Sequence, residues 1–92
     1  MMKPPYGMEV VDKLRKDIGQ LERRDKIVYN AIIKRMLRIT EDPYLGKPLK
    51  GVLKGKRRVH VGHFVLIYEI DENEHKVIFL EFAHHDEAYK RT

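Results

Sequence analysis

The spacing of the apolar residues changes about halfway along this chain. From Met8 to about residue 40 they recur every three or four positions, which is the repeat of an amphipathic helix. From Val59 to Ala83 they alternate with polar residues or run together, which is the pattern of strands. A chain that is helical first and strand-forming second favours a pair of helices packed on a sheet.

The helical half is predicted to form a hairpin of two helices. The first covers residues 8–23, after a proline-rich start that permits only an extended arm or an edge strand. The second begins after Asp25, a plausible N-cap, and ends near Thr40 because Pro43 follows. The apolar stripes of the two helices are Val10, Leu14, Ile18 and Leu21, then Val28, Ile32, Met36 and Ile39.

The second half is predicted to form an antiparallel meander. Residues 41–55 are a long loop, a first strand includes Val59 and Val61, and the next runs from Phe64 to Ile70. Residues 71–75 are a polar hairpin loop before the last strand, residues 76–83. We therefore expect an α+β fold in one domain, residues 1–92, with an N-terminal α-helical hairpin packed on one face of a three- to four-stranded, mainly antiparallel sheet.

Composition removes several kinds of chemistry. The chain has no cysteine and no serine, so disulfides, thiolate metal sites and serine or cysteine nucleophiles are excluded. No apolar run is long enough to span a membrane and the N-terminal residues lack the apolar core of a signal peptide, so we expect a cytoplasmic protein.

A basic loop leads into the first strand. Lysine and arginine total 19 against 14 acidic residues, and the net charge of +5 favours an anionic partner. The basic residues from position 47 to position 58, with no acidic residue among them, are Lys47, Lys50, Lys54, Lys56, Arg57 and Arg58.

Histidines flank this basic segment at the predicted sheet. His60 and His63 follow it, and His84 and His85 come directly after the last strand, so these side chains and Arg58 are expected to converge on the face that the helices leave open. A ribonuclease that cyclises its product needs a base for the 2′-hydroxyl, an acid for the leaving 5′-oxygen and a cation for the phosphorane. Histidine suits both proton roles.

Simpler interpretations fit some of the same residues. Histidine pairs and lysine-rich loops are commonly solvated surface. His60 and His63 are three positions apart on a strand, a poor spacing for zinc, and we expect no metal or cofactor. Tyr89 could stack on a base, whereas Phe64 and Tyr68 are more often core residues.

The segments RVHVGHFVLIY, residues 58–68, and FAHHDEAY, residues 82–89, resemble the RelE/ParE family of small toxins from toxin-antitoxin pairs. KPLKG at 47–51, HVGHFVLIY at 60–68 and HHDEAY at 84–89 are most similar to the YafQ-like branch. The resemblance covers the last half of the chain, whereas the helical half matches only in pattern.

This resemblance implies a ribosome-dependent mRNA endonuclease (an mRNA interferase) acting in the ribosomal A site. It is inactive when wrapped by an acidic, partly disordered antitoxin encoded next door. His60 and His85 match catalytic histidines of the branch, His63 lies where a catalytic residue with a carboxylate side chain is expected, and Lys47 replaces a histidine. The implied catalytic set is His60, His63, His85, Arg58 and Lys47, and the implied RNA-binding set is Lys50, Lys54, Lys56, Arg57 and Tyr89. Val65 stands where RelE proper has a strand arginine.

Two alternatives share this fold. One is a ParE-like toxin that inhibits DNA gyrase and cleaves no RNA, and the other is an inactive relative that serves only as an antitoxin-bound repressor. Fold alone cannot separate them from a nuclease. The clustered histidines favour the nuclease, because a protein that only binds needs no proton-transfer groups.

Overall fold

The computed structural model describes residues 4–84, which contain two α-helices and five strands. The helices are α1 (Asp12–Arg24) and α2 (Lys26–Glu41). The strands are β1 (Gly7–Val10), β2 (Lys47–Pro48), β3 (Lys56–Val61), β4 (Phe64–Asp71) and β5 (Lys76–His84). Two short 3₁₀ turns, Pro43–Leu45 and Gly51–Leu53, lie before and after β2.

The strands form one sheet in the order β1-β5-β4-β3-β2. β1 runs parallel to β5, and the other three neighbouring pairs are antiparallel. The predicted α+β class is confirmed. The predicted strand count was too low, because the two short edge strands β1 and β2 add to the three strands of the meander.

Both helices pack on one face of the sheet and form the main core there. The buried helical residues are Leu14, Ile18, Ile32, Met36 and Ile39, all members of the predicted stripes. Their partners on the sheet are Val59, Val61, Leu66, Tyr68, Val77 and Phe79. Neither helix has the length and apolar character to cross a membrane.

Asp25 both ends α1 and begins α2. Its backbone N–H donates to the carbonyl of Leu21 at 2.8 Å, and its carboxylate accepts from the backbone N–H of Val28 at 3.2 Å. The predicted N-cap is therefore confirmed, and it sets the bend of the helical hairpin.

The predicted start of the first helix at Met8 was wrong. Met8 and Val10 lie in β1, whose residues pair with Lys76 to Phe79 of β5, and the helix begins only at Asp12. Backbone hydrogen bonds from a distant strand override the local helical spacing here. The loop of residues 41–55 was also predicted without regular structure, whereas it contains β2 and two 3₁₀ turns.

A bulge in β5 changes which side chains face the helices. Val77 and Phe79 are in the main core, and strict alternation would turn Phe82 away from it. The register shifts between Ile67 and Tyr68 of β4, and Phe82 packs on the main core as well. Leu80, the extra residue, packs on the opposite side of the sheet.

Candidate functional site

The sheet face that the helices leave uncovered, here called the open face, has its own small apolar cluster. Val65 and Ile67 of β4 are buried at its centre. Leu49, Leu80 and Ala83 pack around them. This packed cluster supports the polar residues that surround it.

Strand β3 places basic side chains on the open face. Val59 and Val61 are buried under the helices, so alternation turns Arg58 and His60 to the other side. Lys47 of β2 is the cross-strand partner of Arg58. The structure therefore brings together three of the five predicted catalytic residues: Lys47, Arg58 and His60.

Arg58 and His60 are in direct contact. The Nη1 atom of Arg58 lies 2.7 Å from Nε2 of His60, whose side chain is exposed. A guanidinium can only donate, so Nε2 is the acceptor and the imidazole in this arrangement holds its proton on Nδ1. The pair thus presents a fixed positive charge beside a group that can exchange protons.

A cleft of about 410 Å³ runs from the open face to the free side of β5, where α1 begins. Its apolar lining is made of Leu14, Leu53, Ile67, Leu80, Phe82 and Ala83. Its charged residues are Lys13, Asp17, Lys56 and Glu81. A cleft with an apolar floor and mixed charges at its rim can accept a base and a phosphate together.

The other predicted residues of the basic segment are spread more widely. His63 is exposed in the two-residue turn between β3 and β4, beyond the end of the open face. Gly62 before it has a φ of 62°, the left-handed conformation that a turn of this kind requires at its first position. Lys50 and Lys54 are exposed on either side of the second 3₁₀ turn.

Arg57 lies on the side of the sheet that carries the helices. Its Nη1 donates to the carbonyl of Gly46 at 2.9 Å, and its guanidinium lies 5.0 Å from the ring centre of Tyr44. These contacts give Arg57 a structural part in holding the loop before β2. Its predicted RNA contact would have to be made from that side.

The end of β5 differs from the expectation in one respect. His84 pairs with Phe64, and the two rings lie edge to face with their centres 5.8 Å apart. Phe64 pairs with Val61 of the main core, so His84 lies on the helix side of the sheet and does not join His60 on the open face. His85 and Tyr89, predicted as a catalytic histidine and a stacking aromatic, lie outside the described residues.

Tyr68 fixes the basic loop to the sheet. Its hydroxyl donates to the carbonyl of Pro43 at 2.6 Å and accepts from the backbone N–H of Gly46 at 2.9 Å. Burial raises the pKa of Tyr68 above the ordinary value of 10.0, so the hydroxyl stays protonated and able to donate. Lys47, one residue past Gly46, is thereby positioned next to Arg58.

The sequence interpretation missed two groups of residues. Glu81 pairs with Ile67 and reaches the open-face cleft, and the signal for it was a single carboxylate in an otherwise apolar strand. Tyr44 and Glu72 share a hydrogen bond but are distant in sequence, so no sequence pattern indicated that they would meet. Among residues 4–84, no three histidine or carboxylate side chains are grouped so that they could hold a metal ion.

A helical hairpin on one face of a five-stranded mixed sheet is also the fold of the isolated E. coli RelE toxin, which matches 94% of this chain and 97% of its own with a TM-score of 0.74 at 17% identity. The family model described as "ParE toxin of type II toxin-antitoxin system, parDE" matches residues 9–89. The chain therefore belongs to the RelE/ParE family and is a toxin of a type II toxin-antitoxin system.

Individual relatives agree with this assignment. A protein of Methanocaldococcus jannaschii with the provisional name toxin RelE4 is 41% identical over 87 residues, covering 94% of this chain and 93% of the relative. The toxin-antitoxin complex RelBE2 from Mycobacterium tuberculosis contains a chain with a TM-score of 0.74 and 26% identity, and the match covers 88% of this chain and 99% of that one. YafQ from E. coli has a TM-score of 0.64 at 20% identity, covering 91% and 98%, and thus shares the fold.

Proposed function

We propose that this toxin is a metal-independent endoribonuclease that cleaves mRNA in the ribosomal A site and so stops translation. The observation that carries the proposal is the Arg58–His60 contact on the open face, with Lys47 on the neighbouring strand. Proton-transfer groups held against fixed cations are what phosphodiester cleavage needs. The resemblance to the YafQ-like branch supports the same activity.

The chemistry proceeds by attack of the ribose 2′-oxygen on the adjacent phosphorus. One histidine removes the 2′-hydroxyl proton, and another gives a proton to the 5′-oxygen as the phosphorus–oxygen bond breaks, leaving a 2′,3′-cyclic phosphate and a 5′-hydroxyl. We assign these two roles to His60 and His85 as a pair. Arg58 and Lys47 stabilise the negative charge that grows on the phosphorane, and His63 assists from the turn.

The basic loop supplies the path for the RNA backbone. Lys50 and Lys54 are exposed, and Lys56 lines the open-face cleft. Cations along a groove bind phosphates without sequence preference. We propose that they hold the mRNA strand while Tyr89 stacks on a base.

An antitoxin is the expected protein partner. The related RelBE2 chain was solved in a complex with its antitoxin, and this chain carries a net charge of +5. We propose that the partner is an acidic chain that covers the positive surface and blocks access to mRNA.

The test is cleavage of a reporter mRNA in a translating extract, with new 5′ ends mapped. We expect ends that require ribosomes, and a loss of about 100-fold or more with His60→Ala or His85→Ala, the usual contribution of a proton-transfer residue. His75→Asn is the matched control, since His75 lies in the turn at the opposite end of β4 and asparagine tolerates its φ of 54°. Equal cleavage by His60→Ala and the unaltered protein would contradict the assignment.

Inhibition of DNA gyrase is the second candidate, favoured by the match to a ParE family model. The same preparations would be added to a supercoiling assay. Loss of supercoiling without any RNA cleavage would replace the nuclease proposal with this one.

A further inference from the structure

A second cleft lies at the start of β3, on the side away from the histidines. Its volume is about 280 Å³. Tyr44, Lys56, Arg57 and Glu72 supply its aromatic and charged lining. Neither Arg58 nor His60 is among the described residues that line it.

The Tyr44 ring in this cleft is both accessible and held in place. The side chain is 53% exposed. Its hydroxyl donates to one carboxylate oxygen of Glu72, and the hydroxyl of Tyr6 donates to the other oxygen at 2.8 Å. A ring that is already fixed loses little conformational entropy when a ligand stacks on it.

Arg57 is held in the same way. Its guanidinium lies 5.0 Å from the centre of the Tyr44 ring, while its bond to the carbonyl of Gly46 sets its direction. Aromatic rings and guanidinium planes are the two surfaces on which proteins stack unpaired bases. Glu72 adds an acceptor for base N–H groups and Lys56 adds a cation for phosphate.

The cleft is continuous with the proposed RNA path. Lys56 lines both this cleft and the open-face cleft. His60 is four residues further along β3, about 13 Å away at roughly 3.3 Å per residue. A single RNA strand can therefore cross the open face and reach Tyr44 by way of Lys56.

We propose that the Tyr44 cleft is a second nucleotide subsite, which receives one unpaired base of a single-stranded RNA. The base stacks on Tyr44 beside Arg57 and turns its N–H groups to Glu72. This inference rests on the proposed function, since it assumes that RNA is the substrate. It adds that the toxin also binds a base distant from the cleaved bond.

The test uses labelled single-stranded RNA octamers and fluorescence anisotropy, at low salt and without ribosomes. We expect Tyr44→Leu to weaken binding between about five- and a hundred-fold, the range for loss of one stacked base. Tyr44→Phe keeps the ring and loses only the bond to Glu72, so it should bind within about threefold of the unaltered protein. Leu37→Ala is the matched control, because Leu37 on α2 has the same 53% exposure.

A scan with one abasic nucleotide locates the base. At one position, removing the base should weaken binding by the unaltered protein as much as Tyr44→Leu does, and should cost the leucine variant nothing further. Upfield shifts of the Tyr44 ring protons in the unaltered protein on RNA addition provide a check that does not depend on the fold of any variant. Unshifted ring signals, or equal binding by Tyr44→Leu, overturn the subsite.

The outcomes separate this subsite from the proposed nuclease. Ribosome-dependent cleavage that needs His60, together with RNA binding that ignores Tyr44, overturns the subsite alone. Absence of both RNA binding and cleavage overturns both proposals. If Tyr44→Leu instead weakens only the association with the antitoxin, the cleft is a protein-binding surface and the RNA subsite is wrong.

Discussion

The absence of a side chain at Gly46 determines how closely the basic loop approaches the sheet. Its φ of −74° is open to any residue, so conformation does not require glycine here. Glycine is required here because there is no room for a side chain. A Cβ atom would lie 2.9 Å from both the carbonyl oxygen of Arg58 and Cε1 of Tyr68, and closer still to the Tyr68 hydroxyl. The close approach allows the loop to bond to Tyr68 and brings Lys47 to Arg58.

Gly46→Ala should therefore destabilise the fold. The new methyl group must displace the buried Tyr68 or the β3 backbone, and we expect a loss of about 1–3 kcal/mol in the free energy of unfolding. Gly19→Ala in α1 is the control, since a Cβ atom there meets nothing within 4 Å. It should stabilise by about 0.5–1 kcal/mol. Urea denaturation measures both, and a neutral Gly46→Ala would contradict the argument.

Tyr68 makes stability depend on pH in the alkaline range. Its pKa is raised by burial, so above pH 10 the unfolded chain ionises this group while the native protein keeps the proton. The stabilisation is complete below pH 10 and is lost as pH rises through the native pKa. Three exposed groups add to this loss of stability at high pH. The hydrogen bond to Glu9 raises the pKa of Lys76, and hydrogen bonds to Glu72 raise the pKa values of Tyr6 and Tyr44.

Tyr68→Phe should accordingly show a shallower fall in unfolding free energy between pH 10 and 11.5 than the unaltered protein. Its stability at pH 8 should be lower by about 1–3 kcal/mol, because the N–H of Gly46 loses its buried acceptor. The measurement is the urea midpoint at each pH. Identical slopes in the two proteins would show that Tyr68 does not titrate differently on unfolding.

Single residues differed in how well the sequence revealed them. Arg58 and His60 could be placed on the open face because Val59 and Val61 define the buried side of the same strand. The bond between Tyr44 and Glu72 could not be foreseen, since it depends on the chain path between a loop and a distant hairpin. The alternation of residues along a strand thus predicts which face of the sheet a side chain lies on, but not which distant residue it contacts.

At the scale of elements, the helices and the three meander strands were predictable because each has a strong period of its own. The edge strands were not, since β1 and β2 are stabilised by neighbours. β1 has four residues and forms its backbone hydrogen bonds with β5, and β2 has only two residues. The bulge at Leu80 could not be predicted either, because one extra residue in an apolar run does not change the sequence pattern visibly.

The sheet order predicts a graded resistance to local opening. β4 is paired with β5 along its length and with β3 from Phe64 to Glu69. Its amides between Phe64 and Glu69 should exchange with solvent most slowly, close to the rate set by global unfolding, whereas the single backbone amide of β2, that of Lys47, should exchange fastest among the strands because Pro48 has none. Amide hydrogen exchange followed by NMR measures this. Protection of β2 equal to that of β4 would contradict the pairing described.

For the whole molecule, the position of the charges matters more than their sum. The basic loop collects its cations at one end of the sheet, where the open face begins. The outer side of α2 carries a second group, Lys34, Arg35 and Arg38. A strand of RNA on the open face would touch the first group and not the second.

Salt titration of RNA binding can separate the two groups. For single strands the logarithm of the binding constant falls with the logarithm of salt concentration by about 0.7 per phosphate contact. Lys50→Ala should make the slope shallower by about 0.7, and Lys34→Ala should leave it unchanged. An equal change in both variants would mean that the charge acts through the net field and not through contacts.

The parallel pairing of β1 with β5 has a consequence for how the chain folds as it is synthesised. β1 can pair with β5 only after residues 76–79 have left the ribosome, so this part of the sheet forms late in synthesis. The β3–β4 hairpin and the helix pair can form earlier, because their contacts are local. The sheet is therefore completed only after β5 has been made, and a fragment that stops before Lys76 lacks the strand with which β1 pairs.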